Sequence, residues 1–110
     1  MPLQKLPNYL RTYRKRAGLS QDEVAYVLGC KSGSKISRYE RFARIPTLET
    51  TFAYEALFKV PASELFSGIF QKVEADTAKR AKVLARKIAR ARPDRMAIRK
   101  LEILRRVVSS

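Results

Sequence analysis

Apolar side chains recur every three or four residues along most of this chain, which is the spacing of one face of an α-helix. Turn-forming residues interrupt the pattern at Gly18, Gly29 and Pro46, and Val60-Pro61 interrupts it again. The segments between these interruptions predict an all-α, five-helix domain. The predicted helices cover about residues 6–17, 21–28, 33–42 and 47–59, with the fifth beginning near residue 63.

The second predicted helix has signals at both ends. Ser20 with Glu23 three residues later forms a capping box, and Leu19 with Val24 is placed as a hydrophobic staple. Gly29 follows the last apolar position, so we expect it to end the helix with a positive φ. A tight turn therefore connects this helix to the next one.

The third predicted helix has a short polar start. Ser32 is a plausible N-cap, and Ile36 is expected in the core. The next inward position belongs to Tyr39 or Glu40. The outward face is then left with small and basic residues.

Residues 19–50 together resemble the helix-turn-helix of the phage Cro and repressor family, the Xre-type regulators. The resemblance extends from about Leu10 to Phe66. The matching residues are Leu19-Ser20-Gln21, Glu23, Ala25, Leu28-Gly29, Ile36-Ser37-Arg38, Glu40-Arg41 and Pro46-Thr47-Leu48-Glu49-Thr50. The chain departs from the family in a connection, Cys30 to Lys35, that is one residue longer than usual. It also has Glu55 in place of a small apolar residue and Pro61 in place of a capping serine.

The resemblance implies that the third helix enters the major groove of double-stranded DNA while the first crosses the backbone. The expected base-reading residues are Gly33, Ser34, Ser37 and Arg38. Arg38 could bond the O6 and N7 atoms of guanine; a phosphate contact or a pair with Glu40 is the alternative. The expected phosphate contacts are Gln21, Lys31, Lys35, Arg41, Arg44 and, from the outer face of the first helix, Arg14.

Residues 71–110 have a different character. They hold 13 basic and 4 acidic side chains, a net charge of +9. Apolar residues still recur at helical spacing, so the fifth helix is predicted to continue from about Ser63 to Ala91. Pro93-Asp94 would interrupt it before a last helix over about 94–108. We expect a domain over 1–70 and a basic amphipathic extension over 71–110, which joins two copies and adds charge beside the DNA.

Composition narrows the chemistry. The formal charge of +14 indicates a polyanionic partner. The chain has no histidine and one cysteine. The sequence therefore offers neither a metal-ligand cluster of the usual type nor a Ser-His or Cys-His nucleophile pair. We therefore expect no enzyme activity, no cofactor, no metal, no membrane span and no small-molecule effector. The start, MPLQKLPNYL, lacks a secretory apolar region, which favours a cytoplasmic protein.

The leading hypothesis is a sequence-specific DNA-binding regulator of transcription that acts by operator occupancy as a homodimer. The alternative is a protein- or RNA-interaction module, such as the antitoxin partner of a toxin, that uses the basic C-terminal helices. A third hypothesis is a binder of anionic membranes. A strong preference for one duplex sequence over random DNA would distinguish the first hypothesis from the other two.

Overall fold

The computed structural model describes residues 5–92 and 94–109, and these residues form helices and no strand, so the all-α prediction is confirmed. The helices of the described residues are α1 Leu10–Ala17, α2 Gln21–Val27, α3 Gly33–Glu40, α4 Leu48–Phe58, α5 Ala62–Leu65, α6 Ser67–Arg90 and α7 Arg95–Ser109. The chain divides into two compact units, Met1–Phe70 and Gln71–Ser110.

An aromatic cluster lies at the centre of the first unit. Tyr54 contacts Tyr39 edge-on with ring centroids 6.4 Å apart, and Phe66 edge-on at 6.5 Å. Ile36 and Tyr39 are buried, as predicted. Not every apolar residue of α4 is buried, because Leu48 and Phe52 are 69% and 56% exposed. They lie on the side of α4 opposite Tyr54, which occupies the inward position instead.

The hydroxyl of Tyr54 is buried and has no hydrogen-bond partner among the described residues. Burial is also the main cause of the raised pKa of this phenol, which therefore stays neutral. Replacing Tyr54 with phenylalanine should remove an unsatisfied polar group and keep the ring. We expect the free energy of unfolding, measured with denaturant, to rise by about 1 kcal/mol. A loss of stability would show that the hydroxyl has a favourable role.

The prediction that the first helix begins near residue 6 is wrong, because α1 begins at Leu10. The amide of Asn8 explains the difference: its Oδ1 accepts the N–H of Leu10 (3.1 Å), and its Nδ2 donates to the carbonyl of Tyr39 (2.9 Å). The carbonyl of Leu6 accepts the N–H of Gly68 (3.1 Å). The segment before α1 therefore bonds to other elements of its unit instead of forming a helical turn.

The capping box of α2 is confirmed. Ser20 Oγ accepts the N–H of Glu23 (3.0 Å), and Glu23 Oε1 accepts the N–H of Ser20 (2.8 Å). The hydrogen bond from the Ser20 backbone lowers the pKa of Glu23. The ionised Glu23 therefore stabilises the fold at pH values above the ordinary pKa of a glutamate. This stabilisation is lost as the pH falls through the lowered pKa.

The turn after α2 is also as predicted, because Gly29 has a φ of 75°. The N–H of Gly29 donates to Tyr26 O (3.1 Å), and the N–H of Cys30 donates to Ala25 O (2.8 Å). These two bonds are those of a Schellman motif, in which the left-handed residue satisfies the last carbonyls of a helix.

Replacing Gly29 with valine should lower the free energy of unfolding by about 2 kcal/mol, because a branched side chain opposes the left-handed conformation. A Cβ at this position would meet nothing within 4 Å, so the loss would come from the backbone alone. Asparagine, which tolerates this conformation, is the control and should be much milder. Equal losses for the two variants in denaturant unfolding would contradict this explanation.

Two departures from the family pattern compensate each other. Glu55 on α4 accepts the N–H of Ala62 with its Oε1 atom (2.7 Å), at the residue that follows Pro61. Pro61 has no side chain that could cap α5. The carboxylate of Glu55 therefore satisfies a free N–H at the start of α5.

The prediction of one continuous helix from about Ser63 to Ala91 is wrong. The chain breaks at Phe66, where φ is −115° and ψ is 42°, so α5 and α6 are separate. Close contact with the segment before α1 explains the break. A Cβ on Gly68 would collide with the carbonyl oxygen of Leu6, and the carbonyl of Leu65 accepts the N–H of Tyr9 (2.8 Å).

The second unit consists of most of α6 together with α7. Ala81 on α6 and Ala97 on α7 are its buried side chains among the described residues. Pro93, half of the predicted interruption, lies outside the described residues. Asp94 accepts the N–H of Ala97 with its Oδ1 atom (2.7 Å) and so caps the start of α7.

Candidate nucleic-acid interface

The outward face of α3 carries serine and arginine side chains. Ser34, Arg38 and Arg41 are exposed and Ser37 is half-buried, whereas Ile36 and Tyr39 point into the core. Arg41 donates from its Nε atom to Ser37 Oγ (3.2 Å). The face therefore offers hydroxyl and guanidinium groups, which can bond both to base edges and to phosphates.

A groove runs along each side of this face. The α2–α3 groove is lined by Arg11, Arg14, Lys15, Ser20, Gln21, Asp22, Gly33, Ser34, Ser37, Glu40 and Arg41. The α3–α4 groove is lined by Leu28, Gly29, Cys30, Lys31, Ser32, Ser34, Lys35, Arg38, Glu49 and Thr50. Ser34 contributes to both, so α3 forms a ridge between two depressions.

The exposed charges of the two grooves are mainly basic. In the α3–α4 groove, Lys31, Lys35 and Arg38 outnumber the single carboxylate, that of Glu49. In the α2–α3 groove the exposed Arg11, Lys15 and Arg41 outnumber the single exposed carboxylate of Asp22. Cations on both sides of a protruding helix suit the two phosphate strands that border a DNA groove.

A buried ion pair supports the ridge from below. Arg14 on α1 donates from Nε to Glu40 Oε2 (2.6 Å) and from Nη2 to Glu40 Oε1 (3.0 Å). The two side chains are only 9% and 3% exposed. The hydrogen bond to Glu40 raises the pKa of Arg14, so its guanidinium stays protonated. Its two parallel bonds fix the end of α3 against α1.

Gln21 extends this ion pair to a third helix. It donates from Nε2 to Glu40 Oε1 (3.1 Å), and Arg14 Nη1 donates to the carbonyl of Leu19 (3.0 Å) before α2. The single carboxylate of Glu40 thus joins α1, α2 and α3. These hydrogen bonds help to hold the ridge in its orientation relative to the other two helices.

The prediction that Arg14 lies on the outer face of α1 is wrong. It is buried, and three of its nitrogen atoms already bond to Glu40 and Leu19. A buried guanidinium held in this way is poorly placed to reach a phosphate. The helical spacing alone could not show this, because the partner lies 26 residues away in the chain.

The prediction that Gly33 faces outward is also wrong. Gly33 is buried, and its N–H donates to Asp22 Oδ1 (2.9 Å). A Cβ on Gly33 would lie 2.5 Å from that oxygen and 3.0 Å from the N atom of Asp22. Asp22 rather than the side chain of Ser32 therefore caps α3, and the glycine is required because α2 and α3 approach closely.

The other predicted residues fall into three groups. Ser34, Ser37, Arg41 and Gln21 come together around the α2–α3 groove. Lys31, Lys35 and Arg38 come together around the α3–α4 groove, and the exposed Arg44 lines neither groove.

Two residues that line the α3–α4 groove, Glu49 and Thr50, were not predicted as site residues from the sequence. Thr47, which accepts the N–H of Thr50 (3.2 Å) and caps α4, is the signal that could have placed them in the first turn.

Comparison with known families agrees with this geometry. A family described as a helix-turn-helix domain matches residues 6–64, more than half of the chain. The protein belongs to this helix-turn-helix domain family, in accord with its resemblance to Cro and repressor-type regulators. Family membership indicates a DNA-binding regulator. No curated protein and no solved structure matches the chain significantly.

Among the described residues, every helix is too short or too polar to cross a bilayer.

Proposed function

We propose that the protein is a sequence-specific, double-stranded DNA-binding regulator of transcription that acts by operator occupancy. The DNA-binding domain would be residues 1–70, and residues 71–110 would form a basic extension. The observation that carries this proposal is the outward-facing ridge of α3, on which Ser34 and Arg38 are exposed and Ser37 is half-buried. A DNA recognition helix needs outward polar side chains on a well-supported element, and α3 has both, since Glu40 holds it against α1 and α2.

Each side chain has a role under this proposal. Arg38 reads a guanine through O6 and N7, and the hydroxyls of Ser34 and Ser37 bond to neighbouring base edges. Lys31, Lys35 and Arg41 neutralise phosphates on the two sides of the ridge, and the exposed Arg44 is a further phosphate contact outside the two grooves. Gln21 can approach a phosphate only through the part of its amide that does not bond to Glu40.

We further infer that two copies bind adjacent half-sites as a homodimer. A lone eight-residue helix can contact only a few base pairs, so a second copy doubles the sequence that is read. The half-sites of a twofold-symmetric dimer lie about one helical turn apart and form an inverted repeat.

Selection of bound duplexes from a random pool tests this proposal with the full chain. The expected result is one enriched motif in an inverted repeat, bound about 10³-fold or more tightly than random duplex at physiological salt. Enrichment of a single, unrepeated motif would reject the homodimer. Recovery of no motif, with binding that depends only on salt, would reject sequence-specific recognition.

A further inference from the structure

The second unit carries an apolar groove between α6 and α7. Leu84 and Ile88 contribute from α6, and Ile103 and Leu104 contribute from α7, with Arg99 and Lys100 completing the lining. We call this set the hairpin groove. Leu84 is 48% exposed and Ile103 is 59% exposed. Aliphatic side chains left in water at this level gain free energy when another apolar surface covers them.

The charges around the hairpin groove have one sign. A second depression, on α6, also contains Leu84, and its other lining residues are Lys79, Arg80, Val83 and Lys87. Every charged residue that lines the two depressions is therefore basic. The four acidic residues of positions 71–110 are Glu74, Asp76, Asp94 and Glu102, and all of them lie elsewhere.

This pattern selects among the possible occupants. A second copy would bring the same basic rim against itself, with no carboxylate of the groove to pair with it. DNA offers phosphates to the rim but no apolar surface to cover Leu84 and Ile103. A bilayer is best entered by a protruding apolar face, whereas these side chains line a depression between two helices.

We propose that the hairpin groove binds an amphipathic helix of another protein, with an apolar stripe flanked by glutamate or aspartate. The stripe would cover the four aliphatic side chains, as in other helix-in-groove complexes. Its acidic flanks would pair with Arg99 and Lys100 on one side and with Arg80 and Lys87 on the other. This partner would give the regulator a protein-controlled input that is separate from the reading ridge on α3.

A designed peptide can serve as the probe. It would be a labelled helix with leucines at positions i, i+3, i+4 and i+7 and glutamates on both flanks, titrated with the full chain and followed by fluorescence anisotropy. A peptide with lysines in place of the glutamates controls for charge. We expect only the acidic peptide to bind in the micromolar range, since transient helix-in-groove contacts are of this strength.

Two substitutions place the binding in the groove. Ile103→Ser and Lys100→Glu should each weaken the acidic peptide about tenfold, through lost apolar burial and lost charge pairing. Ile98→Ser and Arg106→Glu are the matched controls. Ile98 is 61% exposed, Arg106 is exposed, both lie on α7, and neither lines the groove. The controls should bind like the unaltered chain.

Three results would overturn the proposal. Equal weakening by Arg106→Glu and Lys100→Glu, with no effect of Ile103→Ser, would mean that the peptide responds only to net charge. A dimer in sedimentation that Ile103→Ser dissociates would assign the groove to a second copy. Binding to phosphatidylserine vesicles that Ile103→Ser abolishes would assign it to a membrane. None of these measurements depends on DNA binding by α3.

Discussion

Replacing Glu40 with alanine should lower the free energy of unfolding by about 3–5 kcal/mol, the range for removing one partner of a buried ion pair. Arg14 would keep its charge in a site where its side chain is 9% exposed, and Gln21 would lose its acceptor. Denaturant unfolding followed by circular dichroism measures the loss. The same variant should also bind the selected duplex more weakly, because α3 would no longer be fixed against α1 and α2.

Two controls separate the ion pair from general effects of losing a carboxylate. Glu102→Ala removes an exposed carboxylate on α7 and should change stability by less than about 0.5 kcal/mol. The double variant Arg14→Leu with Glu40→Leu removes both charges and should be more stable than Glu40→Ala alone. If Glu40→Ala proved no worse than Glu102→Ala, the three-helix connection described above would not stabilise the domain.

Replacing Arg38 with alanine should weaken binding to the preferred duplex by about 1–3 kcal/mol and relax the preference at one base position. The exposed guanidinium lines the α3–α4 groove and makes no hydrogen bond to another side chain among the described residues. Its loss should therefore leave the fold unchanged. Titration of the preferred duplex and of single-base variants, at one salt concentration, gives both effects.

Arg86→Ala is the control for Arg38→Ala, because Arg86 is an exposed arginine of α6. It removes the same charge and should weaken all duplexes by a similar small factor. Arg38→Ala should instead reduce the difference between the preferred duplex and its variants. If the ranking of duplexes stayed the same, Arg38 would be a phosphate contact and not a base reader.

Local chemistry made much of the fold predictable. The capping box at Ser20 and the left-handed Gly29 depend on neighbours within a few residues, and the burial of Ile36 and Tyr39 follows the helical spacing of apolar positions. Each of these features has a short sequence signature. These signatures determined the helix-turn-helix register, and with it the outward-facing positions of Ser34, Ser37 and Arg38.

Bonds between distant residues account for the errors. Arg14 and Glu40 are 26 residues apart, and Asn8 and Tyr39 are 31 apart. A basic residue on a polar helix looks the same in sequence whether it faces solvent or a buried carboxylate. The break at Phe66 likewise depends on a segment near residue 6, so the continuous helical pattern across it gave no sign of a break.

We propose that α3, with its flanking cations, forms the DNA-binding surface. Backbone amide NMR of the full chain during titration with the selected duplex tests this most directly, because each residue reports separately. We expect the largest chemical-shift changes within residues 31–44 and around Gln21, with small changes in α7. Changes confined to residues 71–109, with residues 31–44 unaffected, would contradict it and assign DNA binding to the basic extension.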